Sequence, residues 1–122
     1  MTKQFAFVFP GQGSQSVGML DTWSSHPEVI TALEEAQSAL SQDLGALMRD
    51  GPKEDLALTT NTQPLMLLAD VAIYRVWIKE TGLVPQMMAG HSLGEYAALV
   101  ASGVLSLSQA LPLVRFRAQA MQ

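Results

Sequence analysis

In Gly90-His91-Ser92-Leu93-Gly94 a serine stands with a glycine two places away on either side, the G-x-S-x-G pattern of a nucleophile carried on a tight turn. The chemistry explains the spacing. A hydroxyl becomes useful when a turn holds its Oγ at the positive end of a helix, beside a backbone N–H that can receive a developing oxyanion. Small residues two places away let the strand before the serine and the helix after it pack closely. Ser92 is then the nucleophile, and the N–H of Leu93 faces the oxyanion. The competing reading is a Gly-Ser turn that serves only the backbone. The context favours catalysis, because a short apolar segment (86–90) precedes the motif and a helical pattern (93–102) follows it.

His91 is a poor base for Ser92. On so tight a turn adjacent side chains diverge, so its expected role is local hydrogen bonding that holds the turn, together with Gly90 and Gly94. His26 falls at a helix start and is expected to be exposed. A triad on this kind of fold places its histidine late in the chain, so the base is expected outside these 122 residues.

A second glycine-rich stretch, "GQGSQSVGML", follows the first apolar run. Against G-x-G-x-x-G the third glycine is replaced by Ser16, and against the P-loop Met19 and Leu20 stand where Lys and Ser or Thr are required. Nucleotide binding is therefore set aside. Two readings remain: a turn that needs glycine for its backbone angles at Gly11, Gly13 and Gly18, or a loop that offers N–H groups to an oxyanion.

The elements that must position these residues alternate between short apolar runs and helical patterns, which implies an α/β architecture. Residues 4–9 ("QFAFVF") read as a buried strand. A helix is predicted from near Ser25, with Ser25 and Glu28 at capping-box spacing, Pro27 in the first turn, and Val29, Ile30, Leu33, Ala36 and Leu40 on a buried face. Residues 63–80 read as a helix apolar nearly all round, with Asp70, Arg75 and Lys79 as the main exceptions, and hence covered on more than one side. Residues 86–90 form a short strand, and residues 93–102 a helix closed by Gly103. Ser106 and Gln109 offer a capping box for a last helix carrying Pro112, Arg115 and Arg117. Pro112 should kink that helix or loosen its first turns. The two arginines, two residues apart, lie on different faces, so at most one meets Ser92, and spacing does not choose between them.

Composition removes several function classes. A formal net charge of -4 argues against nucleic acid or an anionic membrane as partner. There is no cysteine, so disulfides and thiol catalysis are excluded, and two histidines among scattered carboxylates offer no metal cluster. The longest apolar run is interrupted by Asp70 and Arg75 and is too short to span a bilayer. The default is a cytoplasmic protein with no cofactor and no metal. A hydrophobic fraction of 48% against 15% charged residues is apolar for a free-standing domain, and the chain stops within a helical pattern. Both features lead us to expect one compact unit that is part of a larger domain, with self-association open to it and its oligomeric state not readable.

"FVFPGQGSQSVGM", "TQP" at residues 62–64 and "GHSLGEYAALVASGVLSLSQALPLVRFRAQAM", in this order across nearly the whole chain, resemble the first part of the malonyl-CoA:acyl carrier protein transacylases. The resemblance implies that residues 1–122 are the N-terminal part of an acyltransferase catalytic domain. Its core is α/β-hydrolase-like, a short parallel sheet flanked by helices and here incomplete, and the family's ferredoxin-like subdomain lies outside the chain. It further implies that Ser92 takes a malonyl group from malonyl-CoA and passes it to the phosphopantetheine thiol of acyl carrier protein, in fatty-acid synthesis. The oxyanion would be held by the N–H groups of Gln12 and Leu93. Arg117 would grip the malonyl carboxylate, and His91 and Glu95 would support the elbow. Family members run to more than twice this length, so the chain by itself is expected to turn over poorly. Two rival functions stand beside this one: a serine hydrolase or thioesterase, and a non-catalytic fragment that binds a carrier protein.

Overall fold

The computed structural model describes residues 4–122. Strands β1 (Ala6–Phe9) and β2 (Met87–Gly90) pair in parallel, with Ala6 opposite Met87 and Phe9 opposite Gly90. Parallel neighbours need a crossover, and four helices supply it: α1 (Pro27–Leu40), α2 (Leu44–Asp50), α3 (Lys53–Leu56) and α4 (Thr59–Thr81). Helices α5 (Gly94–Ala101) and α6 (Leu107–Met121) follow β2. The sheet is short, parallel and flanked by helices, as the family resemblance implies.

Helix α4 is the centre of the molecule. Every residue from 62 to 72 is buried, and the helix packs against α1, α5 and α6. The apolar surround read from the sequence thus follows from cover on several sides. Its start differs from expectation: it begins at Thr59, four residues before the predicted onset at Gln63. The "TTNT" run reads as a cap or turn because such side chains compete for backbone groups. Here Thr62 Oγ1 instead donates back to the Leu58 carbonyl (2.8 Å), a bond a helix accommodates, and Asn61 Nδ2 donates to the Asp55 carbonyl (3.0 Å). At its far end Gly82 takes φ 68° and closes the helix on the Ile78 carbonyl (2.8 Å).

The pleat divides β1 into two faces. Phe7 and Phe9 turn towards α4 and meet Tyr74 edge-on, with ring centroids 5.2 Å and 6.1 Å apart. Val8 and, on β2, Met87 point the other way and are 69% and 70% exposed. The run read as a fully buried strand is therefore covered on one face only.

Three details of the helices depart from the sequence reading. Helix α1 is capped by His26 rather than Ser25: His26 Nδ1 accepts from the Glu28 N–H (3.1 Å) with Pro27 at the first helical position. The cause is local, since a residue before proline is driven into the extended region that an N-cap requires. His26 is also partly buried rather than exposed, because its Nε2 donates to Glu80 Oε1 (2.8 Å). Ile30 is 43% exposed, and Ala32 takes its place on the buried face with Val29 and Ala36. In contrast, Ser106 and Gln109 form the predicted reciprocal capping box, with bonds of 3.1 Å and 3.0 Å. Helix α6 then runs unbroken through Pro112.

Candidate active site

The chain reverses between β2 and α5 at Ser92, whose φ of 56° lies in the left-handed region. A side chain held there costs of order 1–3 kcal/mol, so the surroundings must impose it. They do so through backbone bonds. The His91 N–H donates to the Phe9 carbonyl (3.1 Å), the His91 carbonyl accepts from Gly94 (3.0 Å), and the Ser92 carbonyl accepts from Glu95 (3.0 Å). His91 and Glu95 therefore hold the elbow through their main chains, while both side chains are exposed and make no hydrogen bond among the described residues.

The two flanking glycines are required by contact. A Cβ on Gly90 would sit 2.0 Å from the Gly94 carbonyl, and one on Gly94 would sit 2.1 Å from the Phe9 carbonyl oxygen. The end of β1, the end of β2 and the start of α5 thus meet with no room for a methyl group. Gly11 is held in the same way, its absent Cβ lying 2.8 Å from the His91 carbonyl oxygen and 3.7 Å from the Leu93 nitrogen. This contact, rather than a positive φ, accounts for Gly11, whereas Gly13 and Gly18 do take φ of 102° and 79°. It also brings the first glycine loop against the elbow. Neither the Gln12 nor the Leu93 N–H donates to an acceptor among the described residues. Two uncommitted donors next to an exposed serine hydroxyl are what an oxyanion needs.

Arg117 reaches this turn from α6. Its Nη2 donates to Ser92 Oγ (3.0 Å), its Nη1 donates to Gln63 Oε1 (2.6 Å), and its guanidinium carbon lies 5.7 Å from the centre of the Tyr96 ring. Arg75 pairs with Glu35 and Arg49 with Asp50, but Arg117 has no acidic partner among the described residues. A guanidinium held by neutral groups keeps its charge available for a carboxylate, which its planar fork can bind through two bonds. Arg117 cannot serve as a base, because it has no acceptor atom. Arg115 faces elsewhere: its Nη2 donates to Gln42 Oε1, its Nε is buried without a partner among the described residues, and burial lowers its pKa. The expectation that the two arginines diverge is met, and Arg117 is the one beside Ser92.

Two site residues carried no assigned role in the sequence reading. Gln63 is completely buried and holds Arg117 with Oε1 while its Nε2 donates to Thr59 Oγ1 (3.0 Å) and approaches Met121 Sδ (3.5 Å). Thr59 Oγ1 also accepts from Gln12 Nε2. A signal was present in the sequence: an uncharged amide beside the apolar run of a helix must find partners if buried. Among the described residues no group of three His, Cys, Asp or Glu could hold a metal, and no helix is long and apolar enough to cross a membrane.

The malonyl CoA-acyl carrier protein transacylase of Escherichia coli strain K12 is 56% identical over 120 residues, which cover 98% of this chain and 39% of that protein. The Bacillus subtilis strain 168 protein of the same name is 43% identical over 119 residues, covering 37% of its length. Among solved structures, the acyl-carrier-protein S-malonyltransferase of Burkholderia pseudomallei 1710b superposes with a TM-score of 0.95 at 60% identity, over 98% of this chain and 39% of that one. A malonyl-transacylase solved in complex with a type II PKS acyl-carrier protein gives a TM-score of 0.93 at 51% identity, again over 39% of its chain. This chain therefore spans about 39% of the length of these relatives. The acyl transferase domain family matches residues 6–122, and the chain, with its serine elbow and facing arginine, belongs to that family.

Proposed function

We propose that these residues are the nucleophile-bearing part of a cytoplasmic malonyltransferase that moves malonyl groups from coenzyme A to acyl carrier protein for fatty-acid synthesis. The observation that carries the reading is the 3.0 Å approach of Arg117 Nη2 to Ser92 Oγ on a turn with φ 56°. It sets a cation with no carboxylate partner among the described residues within hydrogen-bond reach of the serine hydroxyl.

Ser92 Oγ attacks the thioester carbonyl of malonyl-CoA, and its proton passes to a base that residues 4–122 do not supply. The carbonyl oxygen becomes an oxyanion facing the N–H groups of Gln12 and Leu93. Collapse expels the coenzyme A thiolate and leaves malonyl-Ser92. Arg117 binds the free carboxylate throughout, which lowers the energy of malonyl over acetyl esters at every stage. The phosphopantetheine thiol of acyl carrier protein then attacks the ester, the serine oxygen recovers its proton, and the cycle is ping-pong. Gly90 and Gly94 permit the turn, and the main chains of His91 and Glu95 hold it.

The acceptor tests this reading against hydrolysis. Malonyl-CoA and holo-acyl carrier protein are mixed with the full-length protein that contains these residues. Malonyl-acyl carrier protein should form faster than free malonate by at least about a hundredfold, and Ser92→Ala should abolish both products, as loss of a nucleophile does. Malonate as the main product would replace the transferase by a thioesterase. Carrier protein bound equally well by Ser92→Ala with no product from either form would leave only a binding module.

A further inference from the structure

Arg117, on α6, and Gln12, on the loop after β1, are linked through one hydroxyl group, that of Thr59, which Gln12 reaches directly and Arg117 through Gln63. Gln63 Oε1 accepts from Arg117 Nη1 (2.6 Å), and because a guanidinium only donates, this bond fixes which end of the Gln63 amide faces it. The Gln63 Nε2 must then point the other way, where it meets Thr59 Oγ1 at 3.0 Å. Gln12 Nε2 donates to that same Thr59 oxygen. Thr59 and Gln63 are one helical turn apart on α4, so their side chains share a face, and a hydroxyl oxygen has two lone pairs for two amides. Thr59 is partly buried, whereas Gln63 is fully buried and, among the described residues, has only the Met121 sulfur (3.5 Å) to replace the hydroxyl.

We infer that Thr59 is a positioning residue that couples the carboxylate clamp to the oxyanion loop, its hydroxyl setting Arg117 through Gln63 and the Gln12 main chain through the Gln12 side chain. This rests on the malonyl-transfer reading of the same site. Without the hydroxyl, the Gln63 amide loses the bond that keeps its oxygen on Arg117, and the loop carrying the Gln12 N–H loses its tether to α4. One substitution then damages two functions that belong to different parts of the substrate. Every acyl group uses the oxyanion donors, but only a dicarboxylate half-ester uses the clamp.

The test measures kcat/KM for acylation of Ser92 by malonyl-CoA and by acetyl-CoA in the full-length protein, with wild type, Thr59→Val, Thr59→Ser, Gln12→Ala, Gln63→Leu and the last two combined, these last three also in the Thr59→Val background. Thr59→Val should lower malonyl kcat/KM by about tenfold or more and acetyl kcat/KM by about threefold, amounts typical of lost hydrogen bonds, so that the preference for malonyl narrows. Thr59→Ser, which keeps the oxygen, should restore both. Gln12→Ala and Gln63→Leu should combine non-additively with Thr59 present and additively in the Thr59→Val background. Equal losses for both esters with an unchanged preference would reduce Thr59 to a structural role and overturn the inference. So would additivity in the wild-type background, or failure of serine to rescue. Wild type that forms malonyl-Ser92 alongside any of these outcomes leaves the transferase reading standing, whereas wild type that forms no malonyl-Ser92 removes that reading and this inference together.

Discussion

Single residues divide sharply into those whose chemistry is legible from type and spacing and those whose role needs a partner from elsewhere. Ser92 could be read because a serine between two such glycines has few other uses, and its φ of 56° confirms the turn. The choice of Arg117 over Arg115 came from family resemblance, since a helical pattern says that two arginines diverge but not which one meets the serine. Gln63 and Thr59 stayed without a role because their partners lie 54 and 47 residues away in sequence, at Arg117 and Gln12. Asp70 belongs to the same class. It is 6% exposed on α4 beside Phe7, Phe9 and Ile73, its Oδ2 has no hydrogen-bond partner among the described residues, and burial pushes its pKa up from 3.8 to about 7. The folded form therefore holds this proton more tightly than the unfolded chain. Its contribution is fully present below pH 4 and is lost as the pH rises through about 7. Asp70→Asn should accordingly stabilise this chain by roughly 2–4 kcal/mol at pH 8 and by little at pH 4. Urea denaturation at the two pH values measures this, and equal effects at both would contradict it.

Elements were read well where a pattern repeats and poorly at their ends. The apolar surround of α4 and the capping box of α6 follow from periodicity and local caps, whereas the parallel sheet is what the family resemblance implied. The start of α4 was missed because Thr and Asn signal turns unless their side chains fold back onto the helix, as Thr62 does onto Leu58. The cap of α1 moved one residue because Pro27 dictates the backbone of His26. At the elbow the elements meet so closely that substitution is severe. Gly94→Ala would push a methyl group to 2.1 Å from the Phe9 carbonyl oxygen and 3.2 Å from the Pro10 carbonyl oxygen, both backbone atoms. A loss of about 3 kcal/mol or more in unfolding free energy is expected, at the upper end of overpacking costs. Ser92→Ala, at an exposed hydroxyl, should cost much less. Thermal unfolding of the two variants side by side checks the contrast, and similar melting temperatures would show that the elbow relaxes around the methyl group.

At the scale of the whole molecule, the chain spans about 39% of its relatives yet contains both glycine-rich loops, Ser92 and Arg117. The outer face of the sheet is apolar at Val8 and Met87, and Phe116 on α6 is 69% exposed. These surfaces account for a hydrophobic fraction that seemed high for the chain length. The fold class was legible because the strands and helices alternate within the chain, whereas the general base was not, since neither His26, tied to Glu80, nor His91 bonds Ser92. The central claim is that Ser92 and Arg117 together select and take a malonyl group, and intact-mass analysis tests it most directly. The full-length protein containing these residues is incubated with malonyl-CoA or acetyl-CoA, beside Ser92→Ala and Arg117→Ala. The account predicts a malonyl adduct in wild type, none in Ser92→Ala, and a malonyl-to-acetyl preference that falls by about a hundredfold in Arg117→Ala, as loss of a charged clamp implies. An adduct that persists in Ser92→Ala, or a preference unchanged in Arg117→Ala, would contradict it.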